Sequence, residues 1–245
     1  MQSKMRSAST PLLYLYLCLL VLPSWLLLLQ RAHAAVRHGG IPLVSQQKAL
    51  LHWKSTLANP AAEMSSWRGT SSSSSPCNWT GIMCTAVRHG RSMPWVVTSI
   101  SLPDAGIHGK LGELNFTALP FLTYIDLGNN SLHGPIPPNI SSLSSLSALD
   151  LSINQLRGHI PHEIGQLASL TILDISFNNL TGHIPASLGN LTMLIYLVIH
   201  QTMVSGPIPN ELERLVSLQG LQLSNRALSG NIPATLAAKC SVTVW

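Results

Sequence analysis

The sequence predicts an α/β solenoid, a curved right-handed superhelix of short coils with parallel strands along its concave face and a helical cap at the N-terminal end. Three observations carry this. Leu122, Leu146, Leu170, Leu194 and Leu218 recur every 24 residues. Two further aliphatics keep phase with them, Ile125, Leu149, Leu173, Leu197 and Leu221 three places on, and Leu127, Leu151, Ile175, Ile199 and Leu223 five places on. Each unit then carries a glycine (Gly134, Gly158, Gly182, Gly206, Gly230) and an Ile-Pro pair, from Ile136-Pro137 through Ile232-Pro233. A fixed period of this length means one supersecondary unit per repeat. No unit can bury its own apolar side, so neighbours must stack.

Each unit opens with a short alternating piece such as Tyr124-Ile125-Asp126-Leu127-Gly128. Period two puts Ile125 and Leu127 on one side and the other three residues on the opposite side, which is a strand with one buried face. Asn130, Asn154 and Asn178 follow each strand. Their amides are expected to satisfy backbone groups where the chain turns inward, because an unpartnered buried polar group costs ~1–3 kcal/mol. Leu132, Leu156, Leu180, Val204 and Leu228 then point back to the core. The glycine permits a turn that a Cβ would hinder, and the proline falls where no ladder N–H is needed. The spacing L-x-x-L-x-L-x-x-N-x-L is the leucine-rich repeat signature. An imperfect unit precedes these, from Val97, with Ala105 in place of the asparagine. Six repeats over residues 97–241 give six strands and a sheet ~29 Å long at ~4.8 Å per strand.

At the N-terminus Lys4 and Arg6 precede an apolar run, Leu12 to Leu29, and Ala32-His33-Ala34 follows. This reads as a secretory signal peptide over residues 1–34; the other reading is a retained signal anchor, against which Pro23 interrupts the run. Removing the leader takes Lys4, Arg6 and Arg31 and leaves 11 basic and 9 acidic residues. That balance, with no Lys/Arg cluster, argues against a nucleic-acid partner. Six N-x-[ST] sequons, at Asn78, Asn115, Asn129, Asn139, Asn179 and Asn190, agree with secretion and mark candidate glycosylation sites.

Residues 45–95 read as the cap. Ser45 to Leu57 forms a helix with Ser45 as N-cap and Leu50, Leu51, Trp53 and Leu57 on one side. In a secreted chain Cys77 and Cys84 make a local disulfide that seals the end of the leucine column, with two free buried thiols as the alternative. Residues 85–95 read only as a loop.

These residues carry a resemblance. Ala49-Leu50-Leu51-His52-Trp53-Lys54, Ser65-Ser66-Trp67 and Cys77 through Cys84 resemble the N-terminal cap of plant leucine-rich repeat receptors, and endings such as Leu156-Arg157-Gly158-His159-Ile160-Pro161 are similar to the plant-specific repeat class. The likeness covers residues 1–241 and is to the start of the ectodomain of a receptor-like serine/threonine kinase. It implies a solenoid that binds a peptide or protein ligand, a co-receptor ectodomain, or both, at the outer face of the plasma membrane or in the apoplast. A membrane helix and a kinase normally follow in that family. Here Val242 to Trp245 reads as the stub of a seventh repeat, and Cys240 lacks a partner. The expectation is a truncated, non-enzymatic chain with an open, aggregation-prone edge.

Candidate chemistry is sparse. Asp126, Asp150 and Asp174 form a column ~5 Å per step, read as exposed and solvated rather than catalytic, with a weak attraction for basic peptide side chains. His159 and His183 lie one repeat apart, but two ligands make an incomplete metal site. No catalytic residue, cofactor or metal is expected. The ligand-binding face is assigned to the outward strand positions Tyr124, Asp126, Asp150, Asp174, Phe177, Tyr196, Val198, His200, Gln201 and Gln222. Phe177, Tyr196 and His200 are expected to form an aromatic patch of hot-spot composition, ordinary repeat decay being the competing explanation. A soluble inhibitor of a cell-wall hydrolase, similar to polygalacturonase-inhibiting proteins, is the second functional reading.

Overall fold

In-register pairing of three-residue strands builds the first sheet. β4 (Tyr124–Asp126), β6 (Ala148–Asp150), β8 (Ile172–Asp174), β10 (Tyr196–Val198) and β13 (Gly220–Gln222) run parallel, each residue opposite its equivalent one repeat away. The computed structural model describes residues 41–58, 62–69, 75–88, 92–224, 227–230, 232–239 and 241–243, all within one compact unit, 38–245. The expected leader at 1–34, Cys240 and Trp245 lie outside the described residues. β2 (Trp95–Ser101) pairs with β4, and β15 (Ser241–Thr243) pairs with β13, both parallel. β1 (Ile82–Ala86) adds an antiparallel strand beside β2, so eight strands are joined among the described residues. The segment read as a loop from 85 to 95 is therefore part of a hairpin.

The central residue of each repeat strand is fully buried: Ile125, Leu149, Leu173, Leu197 and Leu221. They join Leu127, Leu132, Ile140 and their equivalents in one continuous apolar cluster that runs from Leu50 in the cap to Leu236. Short 3₁₀ turns such as Pro138–Ser142, His162–Gln166 and Ala186–Asn190 return the chain on the far side. Each follows a proline whose carbonyl accepts the first turn bond, as in Ile140 N to Pro137 O at 3.1 Å.

The buried asparagines tie each coil to the one before it. Asn154 Nδ2 donates to Leu127 O at 2.9 Å, Leu151 O at 3.1 Å and Ser152 O at 3.0 Å, and its Oδ1 accepts from Leu132 N at 2.9 Å. Asn178 repeats the set with Leu151, Ile175, Ser176 and Leu156, and Asn130 with Leu102, Leu127, Gly128 and Ile107. Thr202 occupies the slot one coil later and reaches Ile199 O and Val204 N only at 3.4 Å.

A second sheet follows each turn. β3 (His108–Lys110), β5 (Ser131–Gly134), β7 (Gln155–His159), β9 (Asn179–Gly182) and β11 (Met203–Val204) lie parallel in the order β11-β9-β7-β5-β3. A further short pair joins β12 (Gly206–Pro207) to β14 (Leu228–Ser229). One strand per coil was expected; two form. The repeat glycines lie in these short strands with left-handed backbone, Gly182 in β9 at φ 80° and Gly206 in β12 at φ 82°. There a Cβ would also run into the ring of His159 or His183 from the preceding coil.

The cap helix α1 (Leu43–Thr56) begins before Ser45, with Pro42 at the N-cap and no side-chain capping bond. Ser45 is therefore inside the first turn, where its N–H reaches Pro42 O at 2.9 Å. Buried Gln46 links cap to solenoid: Nε2 donates to Ile41 O at 3.0 Å and Oε1 accepts from Val97 N at 2.8 Å. Trp53 donates to Lys110 O at 3.2 Å, and Trp67 to Thr80 O at 2.9 Å while stacking on Trp79 at 5.4 Å. Cys77 and Cys84 are bonded, with Cα atoms 5.3 Å apart. A last helix, α2 (Ala234–Lys239), precedes β15.

Asn154→Ala removes four bonds at a buried site and is expected to destabilise the chain by ~1–3 kcal/mol. Thr202→Ala is expected to cost clearly less, and paired denaturant melts of the two variants check the difference.

Candidate recognition face

The outward side of the eight-stranded sheet is shaped first by its turns. After each strand one residue adopts left-handed backbone: Asp104, Asn129, Ile153, Phe177 and Gln201, with φ between 50° and 53°. This conformation is unusual for a β-branched or bulky side chain; asparagine follows it at Asn129, Ile153 and Phe177, whereas Ala105 follows Asp104 and Thr202 follows Gln201. Asn130 N donates to Ile153 O and Asn154 N to Phe177 O, both at 3.1 Å, so the row advances one residue per coil. Its side chains stay in solvent: Ile153 is 44% and Phe177 40% exposed. The Phe177 ring meets His200 edge-on at 4.8 Å, and Phe177 N donates to His200 O at 3.0 Å. Burial lowers the His200 pKa.

The structure divides the expected aromatic patch. Phe177 and His200 touch, whereas Tyr196 sits at the opposite end of β10, between Ile172 and Gly220 in register. Val198 lies next to Asp174 and Gln222, and all three of Tyr196, Val198 and Gln222 are half-buried. Gln201 is exposed in the left-handed row and Tyr124 is half-buried, its hydroxyl donating to Asp126 Oδ2 at 3.2 Å.

The aspartate column is not the solvated row expected from sequence. Asp126, Asp150 and Asp174 are direct neighbours across the strands, but Asp174 is only 8% exposed and the other two are half-buried. Each closes an Asx turn two residues on. Asp150 Oδ1 accepts from Ser152 N at 2.8 Å and Ser152 Oγ at 2.7 Å; Asp174 Oδ1 accepts from Ser176 N at 2.9 Å and Ser176 Oγ at 2.6 Å; Asp126 Oδ1 accepts from Gly128 N at 3.2 Å. Burial raises the pKa of all three. Asp174 is pushed up to about 7 by burial and then by the Asp150 charge, against the lowering effect of Ser176. The D-x-S spacing in Asp150-Leu151-Ser152 and Asp174-Ile175-Ser176 was the available signal for this turn-closing role.

His159 and His183 do not face each other as ligands. Each ring covers the next coil's glycine, with Nδ1 near Thr181 O at 3.3 Å and near Ser205 O at 2.9 Å. Among the described residues no group of three or more His, Cys, Asp or Glu is placed to hold a metal. All six sequon asparagines, Asn78, Asn115, Asn129, Asn139, Asn179 and Asn190, are exposed. Asn129 belongs to the left-handed row and donates to Asp104 Oδ1 at 2.9 Å.

Parallel strands, buried asparagine ties and a disulfide-closed cap define a class that comparison also reaches. The leucine-rich repeat region model matches residues 114–236 and the leucine rich repeat N-terminal domain model matches residues 44–85. The chain belongs to the leucine-rich repeat family, and its relatives are plant receptor-kinase ectodomains. MDIS1-interacting receptor like kinase 2 from Arabidopsis thaliana is 36% identical over 97 residues, 39% of this chain and 8% of that protein. The matches span 10% or less of the length of the first curated relatives. Among solved structures, the BIR3–SERK2 complex from Arabidopsis thaliana is similar at TM-score 0.62 and 33% identity, covering 75% of this chain and 94% of the matched one. The Arabidopsis receptor kinase HAESA in complex with the peptide hormone IDA and the co-receptor SERK1 is similar at TM-score 0.70 and 31% identity, covering 82% of this chain and 33% of the matched one.

A folded-state pKa of about 7 for Asp174, against an ordinary 3.8, means the native state holds the extra proton across that interval. Stability is then greatest at acid pH and falls as pH rises from about 4 through about 7. Asp174→Asn is expected to melt close to wild type at pH 5 and a few degrees above it at pH 8, as read by thermal scans at both pH values.

Proposed function

We propose that this chain is the ligand-perceiving part of a plant receptor, acting outside the cell and binding an extended peptide across the outward face of its first sheet, with a co-receptor ectodomain as second partner. The carrying observation is the row Asn129, Ile153, Phe177 and Gln201, where left-handed backbone holds the apolar Ile153 and Phe177 in solvent between two amides and Phe177 is braced by His200. Exposed, preorganised aromatic groups are typical binding anchors. Tyr124, Tyr196, Val198 and Gln222 line the rest of the face, and the carboxyl groups of Asp126, Asp150 and Asp174 lie at its base, with burial favouring the neutral form. The relatives are receptors and ectodomains, two of them solved with a peptide hormone or a SERK partner, which favours a receptor over a hydrolase inhibitor.

The chain's own contribution is recognition rather than catalysis. The matched regions are repeat and cap segments, and the hydroxyls that meet the carboxylates, Ser152 and Ser176, are buried. Glycans on the exposed sequons would solubilise a surface that is only 9% charged by composition. A glycan on Asn129 would bound the peptide track at its N-terminal end.

A panel of synthetic secreted peptides and the SERK1 ectodomain, titrated against the purified glycoprotein, tests this. Phe177→Ala combined with Tyr196→Ala is expected to weaken the captured peptide by about 30-fold, the size of a hot-spot loss of ~2 kcal/mol. Unchanged affinity in a folded double variant removes this patch from the binding site.

A further inference from the structure

The second sheet carries a cluster that peptide recognition does not use. His108 on β3, His133 on β5, Gln155 and Arg157 on β7 and Asn179 on β9 line an open cavity of about 310 Å³ that crosses four successive coils. The His108 and His133 rings lie 5.1 Å apart, tilted by 44°. His133 Nδ1 is buried without a hydrogen-bond partner among the described residues. Lys110 stands opposite His133 in register, and Arg157 opposite Asn179. No strand of this sheet contains Asp or Glu, and neither Lys110 nor Arg157 takes part in an ion pair among the described residues. The Arg157 guanidinium, two amides and flat imidazoles therefore converge on a groove whose strands carry no counter-charge.

We propose that this groove binds a linear acidic polysaccharide carrying a carboxylate on its sugar rings, a uronate chain. A guanidinium presents a planar fork that matches a carboxylate bidentately. The amides of Gln155 and Asn179 both donate and accept, which suits ring hydroxyls. The two tilted imidazoles give flat faces for sugar C–H surfaces. Strands ~4.8 Å apart step at about the length of a pyranose, so successive sugars meet equivalent positions on successive coils. An acidic peptide would engage Lys110 and Arg157 but leave the amides and imidazole faces unused, so charge alone does not account for the lining. Asn179 is also a sequon asparagine, so a glycan there would rise from the groove wall.

The test titrates a short galacturonic acid oligomer into the intact chain, both as the glycoprotein and after enzymatic deglycosylation. Binding in at least one glycoform is expected, weakening with added salt and absent for the same oligomer with methyl-esterified carboxylates. Arg157→Ala is expected to weaken it at least tenfold and His133→Ala by a smaller factor, while Arg214→Ala, remote on a 3₁₀ turn, leaves it unchanged. Circular dichroism confirms that the exposed Arg157 variant is folded. No binding in either glycoform overturns the proposal. So does equal loss with Arg214→Ala, which would mark diffuse charge attraction, and so does equal affinity for polyglutamate, which would mark an acidic-peptide surface.

Discussion

The fold depends on satisfying backbone groups at the inward turn of each coil. A chain that turns toward its own core after only three strand residues exposes carbonyls and an N–H to an interior with no water, and each such group left alone would cost ~1–3 kcal/mol. The asparagine amide is a compact side chain whose two N–H donors are shared among three carbonyls while its oxygen accepts one N–H. Because two of its four bonds at Asn154 go to the preceding coil, at Leu127 O and Leu132 N, it also fixes the stacking register. The aliphatic column then packs against equivalents at a set distance, and its burial supplies most of the driving force.

That same turn shapes the surface. The residue before the asparagine slot takes left-handed backbone whether the slot holds Asn or, after Gln201, Thr202, and that conformation is unfavourable for Ile153 and Phe177. The residue so strained cannot fold its side chain back onto the sheet and remains in solvent. Burial beside the left-handed row raises the pKa of the neighbouring aspartates, against the lowering effect of the Asp-x-Ser hydrogen bonds. The outward face is thus an exposed row that presents Ile153 and Phe177 beside a column of partly buried acids with raised pKa values. Both follow from closing one turn.

The period, the buried strand centres, the asparagine role and the cap disulfide were legible because each is a repeated or paired residue type with a single physical job. The second sheet was not: His108, Gln155 and Asn179 have no strand-like alternation, and their strands form because coils already stacked at ~4.8 Å bring extended backbone side by side. The β1–β2 hairpin lacks both the period and a tight-turn dipeptide. Ser45 looked like an N-cap, but Pro42 starts the helix earlier because its fixed φ suits the entry and Ser45 N finds its carbonyl. The candidate site was half legible. Outward positions could be counted by alternation, yet alternation gives no depth, so Asp174 read as solvated although it is 8% exposed. Tyr196 read as a neighbour of Phe177 although the two occupy different ends of the face.

The coil that opens at Leu194 shows how the template and the surface constrain each other. It replaces the asparagine with Thr202, whose contacts lengthen to 3.4 Å, and the aspartate with Val198, which ends the carboxylate column at Asp174. One change exchanges an amide for a hydroxyl and the other removes a carboxylate, in the coil whose His200 meets Phe177. A fourth carboxylate there would have added repulsion to Asp174, already driven toward the neutral form by burial and Asp150. Valine relieves it and makes the adjoining surface apolar. The weaker threonine tie is tolerable because the aliphatics on both sides, Leu197 and Ile199, remain fully buried. Divergence from the repeat therefore concentrates where stability permits it, and there it produces the most ligand-like surface on the sheet.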